Sequence, residues 1–160
     1  MRIYIALFRG INVGGNNALA MKDLVAILQG LGSQDVRTYI QSGNAVFRSD
    51  TKNTTQLSRQ ISATIKQRRG FEPHVMLLEL EDIERVIAKN PFPEAATDPK
   101  ALHVGFLASA PENPNLRVLE TLKRDTERYH LGERAFYLHA PEGVGRSKLA
   151  ARFIRFRHHT

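Results

Sequence analysis

The chain has 160 residues, no cysteine, and 23 lysine and arginine residues against 16 acidic ones, which gives a formal charge of +7. A chain of this length can bury the core of one domain, or of two small ones, without disulfide or metal support. The lack of cysteine excludes a disulfide framework, thiolate zinc sites and a cysteine nucleophile, and the positive charge favours anionic partners.

The first half of the chain is predicted to form a strand, a helix, two strands, a helix and a strand. Ile3, Ile5 and Leu7 alternate with other apolar residues, which predicts a central strand covered on both faces. A helix over 21–31 follows and stops at Gly32, and strands over 36–40 and 45–48 then flank a turn at 42–44. The next helix has Leu57, Ile61 and Ile65 buried and has Thr54 and Thr55 as its candidate caps. A strand over 74–78 ends this half.

The second half repeats this order after a connector. A short helix is predicted to bury Leu80, Ile83 and Ile87, and the prolines of 91–99 then mark the connector. Past it, we predict a strand over 102–106, a helix over 116–122, strands over 128–131 and 135–139, and a helix that buries Leu149, Phe153 and Phe156. The expected domains are a subdomain at 1–80, a linking helix and connector at 81–100, and a second subdomain at 101–160.

The order of elements predicts an α+β fold made of tandem ferredoxin-like (βαββαβ) subdomains with antiparallel sheets. The second subdomain lacks its last strand in this prediction. In such a sheet the first and third strands are neighbours, and right-handed crossovers place the helices on one face. The loop at 9–17 and the turn at 41–44 should therefore meet at one edge of the first sheet.

The loop at 9–17 is rich in glycine and asparagine and lies between a strand and a helix. Loops of this kind expose backbone N–H groups and attract anions. Its spacing fits neither a Walker loop nor a dinucleotide fingerprint, and the alternative is a long turn that uses glycine for its backbone angles. The candidate ligand-binding residues here are Arg9, Gly10, Asn12, Gly14, Gly15 and Asn16.

The turn formed by Gln41, Ser42, Gly43 and Asn44 has the composition of a tight hairpin. If it lies beside the first loop, its amide and hydroxyl donors could complete a polar pocket with Arg9. Neither loop has a carboxylate or a histidine to act as a general base, so the sequence favours binding over catalysis and identifies no catalytic residue.

A third segment, Arg146, Ser147 and Lys148, is an accessory basic site in which Ser147 is expected to cap a helix. Lys148, Arg152 and Arg155 form a basic stripe on that helix, for which a solvated face is the alternative interpretation. The six histidines form no ligand set, so we predict no metal and no cofactor.

The chain resembles the bacterial family named domain of unknown function 1697. The resemblance lies in the residues 6–15, Met21 and its helix, 36–47, 90–92, 103–107 and 143–149. It implies a pair of ferredoxin-like subdomains, and it supplies no catalytic residues because the family has no established biochemical role. Two segments depart from the family pattern. Members of the family often have a basic residue and a proline before the methionine that opens the first helix, where this chain has Ala18-Leu19-Ala20 before Met21. The chain also ends with residues 155–160 and has no tryptophan, which predicts a truncated C-terminus.

The sequence is compatible with three functions. The leading one is binding of a small phosphate-bearing or otherwise anionic ligand at the two loops. The alternatives are a nucleic-acid-binding module, suggested by the charge but lacking the stacking aromatic residues of the third strand, and an enzyme acting on a phosphorylated substrate through Ser147 or Lys148. We expect a cytoplasmic protein without a membrane partner, and exposed strand edges favour self-association.

Overall fold

The protein is an α+β chain with two antiparallel sheets, described here from a computed structural model that covers residues 1–12, 14–39 and 43–153. Gln41, Ser42, Arg155 and Phe156 lie outside these described residues. The chain divides into two compact units, one holding Met1–Glu84 and the other beginning at Arg85. None of the helices in the described ranges is long and apolar enough to cross a membrane.

The first unit contains a four-stranded sheet with the strand order β2-β3-β1-β4, in which every neighbouring pair is antiparallel. Its elements are β1 (Arg2–Arg9), α1 (Met21–Gly30), β2 (Gln34–Tyr39), β3 (Asn44–Ser49), α2 (Thr54–Arg69) and β4 (His74–Glu79). A further helix, α3 (Leu80–Ala88), contains the boundary between the two units.

One face of this sheet packs against α1 and α2 to form the core. Tyr4, Ala6 and Phe8 of β1 point to that face and are buried, together with Phe47 of β3 and Ile61 of α2. Each large side chain buried in this way contributes about 1.5–3 kcal/mol relative to its exposed state. β1 is central, as predicted, but its opposite face is only partly covered, since Ile3 is 39% exposed.

The residue that caps the N-terminus of α2 lies one position before the predicted caps. Asn53 is the N-cap, and its side-chain oxygen accepts a hydrogen bond from the Gln56 N–H at 3.0 Å. Thr54 and Thr55 are therefore not the caps. Three polar residues in succession can all cap a helix, and the backbone geometry selects the one with an extended conformation.

The predicted buried stripe of α3 is wrong. Leu80 is 44% exposed and Ile87 is 68% exposed, and none of the residues of α3 is fully buried. The apolar contact instead comes from Val86, which packs against a small cluster that includes Phe92 and Tyr137. Helical spacing identifies an apolar face, but only tertiary packing decides which of its residues is covered.

The second unit contains a three-stranded sheet with the strand order β5-β7-β6 and antiparallel neighbours. Its elements are a 3-10 helix (Pro93–Thr97), β5 (Leu102–Phe106), α4 (Leu116–Leu122), β6 (Arg128–Leu131), β7 (Ala135–His139) and α5 (Lys148–Phe153). The core lies between β7 and the two α-helices, where Phe136 stacks on Phe153 with ring centroids 4.2 Å apart.

Candidate functional site

The loop after β1 is held in shape by its own asparagines. The Asn12 side chain donates to the Leu19 carbonyl and accepts from the Leu19 N–H, both at 2.8 Å. The Asn17 side chain donates to the Gly10 carbonyl at 2.9 Å, and the Asn12 N–H donates to the Asn17 carbonyl at 3.0 Å. Asn12 therefore acts as part of the frame of the loop, because both polar atoms of its amide group are engaged within it.

The loop meets the turn before β3 at one end of the sheet. The Phe8 N–H donates to the Gly43 carbonyl at 3.0 Å. Gly43 has a φ of +88°, and a Cβ placed on it would lie 2.9 Å from Ile11 Cγ1 and 3.0 Å from Phe8 Cβ. Because Ile11 is itself buried, this contact is tight and apolar. The two segments thus converge through Ile11 and Gly43, while Asn44 pairs with Leu7 and is half-buried.

The outer part of the loop faces solvent. Gly14 and Gly15 are exposed, have φ values of +57° and +78°, and have no heavy atom within 4 Å of the position a Cβ would take. Within the described ranges, no group accepts a hydrogen bond from the N–H of either glycine. Arg9 at the end of β1 and Asn16 are exposed as well. The loop therefore presents the two glycines to solvent, five and six residues after the exposed Arg9.

The accessory basic segment lies in the second unit. Ser147 is buried, and its Oγ accepts a hydrogen bond from the Ala150 N–H at 3.1 Å, so it caps α5 as predicted. Arg146 and Lys148 on either side are exposed. This capping hydrogen bond explains why a buried serine occupies position 147. Arg152 is exposed on the same helix.

A second candidate is the open groove of about 590 Å³ around β6. The Arg128 guanidinium lies 4.9 Å from the centroid of the Phe92 ring and forms an ion pair with Glu94. The hydrogen bond from Arg128 lowers the pKa of the Glu94 carboxyl. Burial, followed by the hydrogen bond to Glu120, raises the pKa of the Tyr129 hydroxyl that lines the groove. The ion pair with Glu94 offsets the positive charge that Arg128 brings to this groove.

Sequence reasoning missed one surface of the first unit, the sheet face turned away from α1 and α2. Tyr39 of β2 is 74% exposed there, and Val46 of β3 is 41% exposed. The alternation of Val36 and Thr38 with Arg37 and Tyr39 was the available signal, since the first pair is half-buried and the second exposed. In the described part of the chain, no three histidine or acidic side chains are arranged to hold a metal ion.

The chain is similar to a known protein family and to a solved structure. The family model described as "Protein of unknown function (DUF1697)" matches residues 1–137. The structure of a conserved bacterial protein from Streptococcus pneumoniae superposes with a TM-score of 0.70 at 26% sequence identity, over 98% of this chain and 89% of that one. No curated protein matches. The match includes both converging loops and ends before the accessory basic segment, and the chain belongs to the DUF1697 family of proteins of unknown function.

Proposed function

We propose that this chain binds a small phosphate-bearing or otherwise anionic ligand at the solvent-facing part of the loop after β1. The observation that carries the proposal is the pair of exposed N–H groups of Gly14 and Gly15, which have no acceptor among the described residues. Arg9 and Asn16, which are exposed, would supply further donors, and Gly43 and Asn44 belong to the turn that meets the same loop through Ile11. Gln41 and Ser42, which complete the proposed set, lie outside the described residues.

The loop suits an anion for two physical reasons. Its backbone is already fixed by the Asn12 and Asn17 hydrogen bonds, so little conformational freedom is lost on binding. It also contains no carboxylate that would repel the ligand. Hydrogen bonds to a charged group contribute about 1.5–3 kcal/mol each. Two or three of them amount to about 3–9 kcal/mol, and the cost of association, at least about 4 kcal/mol, offsets most of this, so the Kd for inorganic phosphate is on the order of 1 mM at the tightest.

The experiment is isothermal titration calorimetry with inorganic phosphate, pyrophosphate and a nucleoside triphosphate. Arg9→Gln should weaken binding of all three ligands by about tenfold, which is the loss of one charge-assisted hydrogen bond. Arg59→Gln is the matched control, because it removes one exposed cation from α2 and lies outside both loops. Equal losses in the two variants, or no heat from any of the ligands, would contradict the proposal.

We also infer that both units are ferredoxin-like. The support is the strand order β2-β3-β1-β4, which a βαββαβ chain adopts when β1 lies between its third and fourth strands. The order β5-β7-β6 repeats the relation among the first three strands. A crystal structure with right-handed crossovers in both units would agree with this inference, and a left-handed one would overturn it.

A further inference from the structure

The face of the first sheet opposite its core is defined by the strand register. Tyr4 and Phe47 are direct neighbours across β1 and β3, and both are completely buried against the helices. Because side chains alternate along a strand, the residues next to them point the other way. The neighbouring pairs Ile3–Arg48 and Ile5–Val46 therefore lie on the opposite face.

The register of β2 extends this face. Arg37 is opposite Val46, and Tyr39 is opposite Asn44. We name the exposed part of this face the open-face strip, and it consists of Ile3, Arg37, Tyr39, Val46 and Arg48. Tyr39 is the most exposed large hydrophobic side chain of the strip, and the aliphatic residues Val46 and Ile3 are also partly open to solvent. The register thus places the exposed aromatic ring at one end of the strip, followed by Arg37 beside Val46 and then by Arg48 beside Ile3.

The charge on this face has one sign. Across the paired positions of β1, β2, β3 and β4 that point away from the helices, Arg9, Arg37 and Arg48 occur, and none of the positions is an aspartate or glutamate. The nearby acid Asp35 lies at the bulge of β2, with its Oδ2 3.4 Å from Arg48 Nη1 and its side chain 67% exposed. An exposed ion pair of this kind is worth only about 0–1 kcal/mol, so Arg48 can exchange Asp35 for another anion.

We propose that the open-face strip binds single-stranded nucleic acid. Tyr39 stacks on a base, Arg37 and Arg48 contact phosphates, and Val46 and Ile3 pack against sugar and base edges. Arg37 and Tyr39 are two residues apart on β2, about 7 Å, so they can engage the phosphate and the base of neighbouring positions of one strand. Unpaired bases expose the faces on which an aromatic ring can stack, whereas the bases of a duplex are stacked on one another, so a single strand suits this strip.

The strip does not depend on the loop proposed to bind small anions, because the two use different residues. Strip variants should leave phosphate binding unchanged. Conversely, failure of phosphate binding would not affect the strip.

The experiment is fluorescence anisotropy of the full chain with labelled single-stranded RNA and DNA of mixed sequence, about ten nucleotides long. Tyr39→Ala should weaken binding between about fivefold and a hundredfold, which corresponds to the loss of one stacked base. Tyr39→Phe should keep wild-type affinity because the ring is retained. Both substitutions are at an exposed position, and melting curves by circular dichroism confirm that each variant is folded.

Salt dependence gives the second measurement. Between about 50 and about 200 mM salt, removing one phosphate contact should reduce the slope of log K against log salt by about 0.7. Arg37→Gln should show this reduction. The matched variant Arg59→Gln should not, because it removes a cation on the helical side of the sheet.

Three results would overturn the proposal. The first is the absence of saturable binding to either RNA or DNA, and the second is an equal loss in Arg37→Gln and Arg59→Gln. The third is unlabelled poly-glutamate displacing the oligonucleotide as well as unlabelled single strands do, which would identify the strip as a surface for acidic protein. Tighter binding of the RNA or of the DNA oligonucleotide identifies which nucleic acid the strip prefers, and either preference supports the proposal.

Discussion

Substituting Gly43 by alanine tests the contact that brings the two loops of the first unit together. The alanine would have to keep a φ of +88°, which costs an L-residue about 1–2 kcal/mol. Its methyl group would also lie 2.9 Å from Ile11 Cγ1, and closer still to Cδ1, in a buried position. Overpacking of this kind costs about 1–3 kcal/mol. The total is about 2–5 kcal/mol, a large part of the stability of a small domain.

The matched control is Gly14→Ala. Gly14 also has a positive φ, but nothing lies within 4 Å of its Cβ position, so only the backbone cost applies. The difference between the two variants, about 1–3 kcal/mol, isolates the steric contact. Ile11→Val removes the Cδ1 atom, and in that background Gly43→Ala should cost less, with a coupling energy of about 0.5–3 kcal/mol.

Hydrogen exchange of the Phe8 amide is the appropriate assay, because this N–H donates to the Gly43 carbonyl and reports on the first unit alone. Denaturation of the whole chain would mix the unfolding of two units. If Gly43→Ala lowers the free energy of amide opening no more than Gly14→Ala does, then Gly43 is not packed against Ile11, and the reasoning is wrong.

Three further predictions concern stability. Asn12→Ala should destabilise the first unit by about 1–3 kcal/mol, because it leaves the Leu19 backbone groups without their 2.8 Å partners; unchanged hydrogen exchange in β1 would contradict this. Asn53→Ala should cost about 0.5–2 kcal/mol through loss of the α2 cap, and Asn53→Asp should cost far less in the same measurement. Burial raises the pKa of the Tyr137 hydroxyl, so its stabilising effect is present below about pH 10 and is lost as the pH rises further; urea denaturation followed by NMR signals of β7, which report on the second unit alone, should show this loss, and the loss should be smaller in Tyr137→Phe.

Much of the secondary structure could be predicted because local patterns determine it. The boundaries of β6 and β7 agree with the prediction, since Gly132 and Glu133 interrupt two short apolar runs. Leu57, Ile61 and Ile65 are all buried, as their fourfold spacing indicates. The failure at α3 has a different origin: its apolar spacing is equally clear, but covering a helix requires a partner surface that no local pattern reveals.

The candidate site was only partly accessible from the sequence. Strand order requires the loop after β1 to approach Gly43, because β1 and β3 are neighbours. What occupies the junction could not be predicted, and the buried side chain of Ile11 fills it. The open-face strip escaped prediction because it depends on register: the bulge between Gln34 and Arg37 decides which residues of β2 point away from the core.

The most direct test of the proposed anion site is a titration of isotopically labelled protein with inorganic phosphate, followed by amide NMR. We expect the amide resonances of Gly14 and Gly15 to shift in a saturable way, with a Kd on the order of 1 mM, while amides in the middle of α2 stay in place. The Arg9→Gln variant should require about tenfold more phosphate for the same shift. Saturable shifts in α2 without shifts at Gly14 and Gly15, or no shifts at all, would contradict the account.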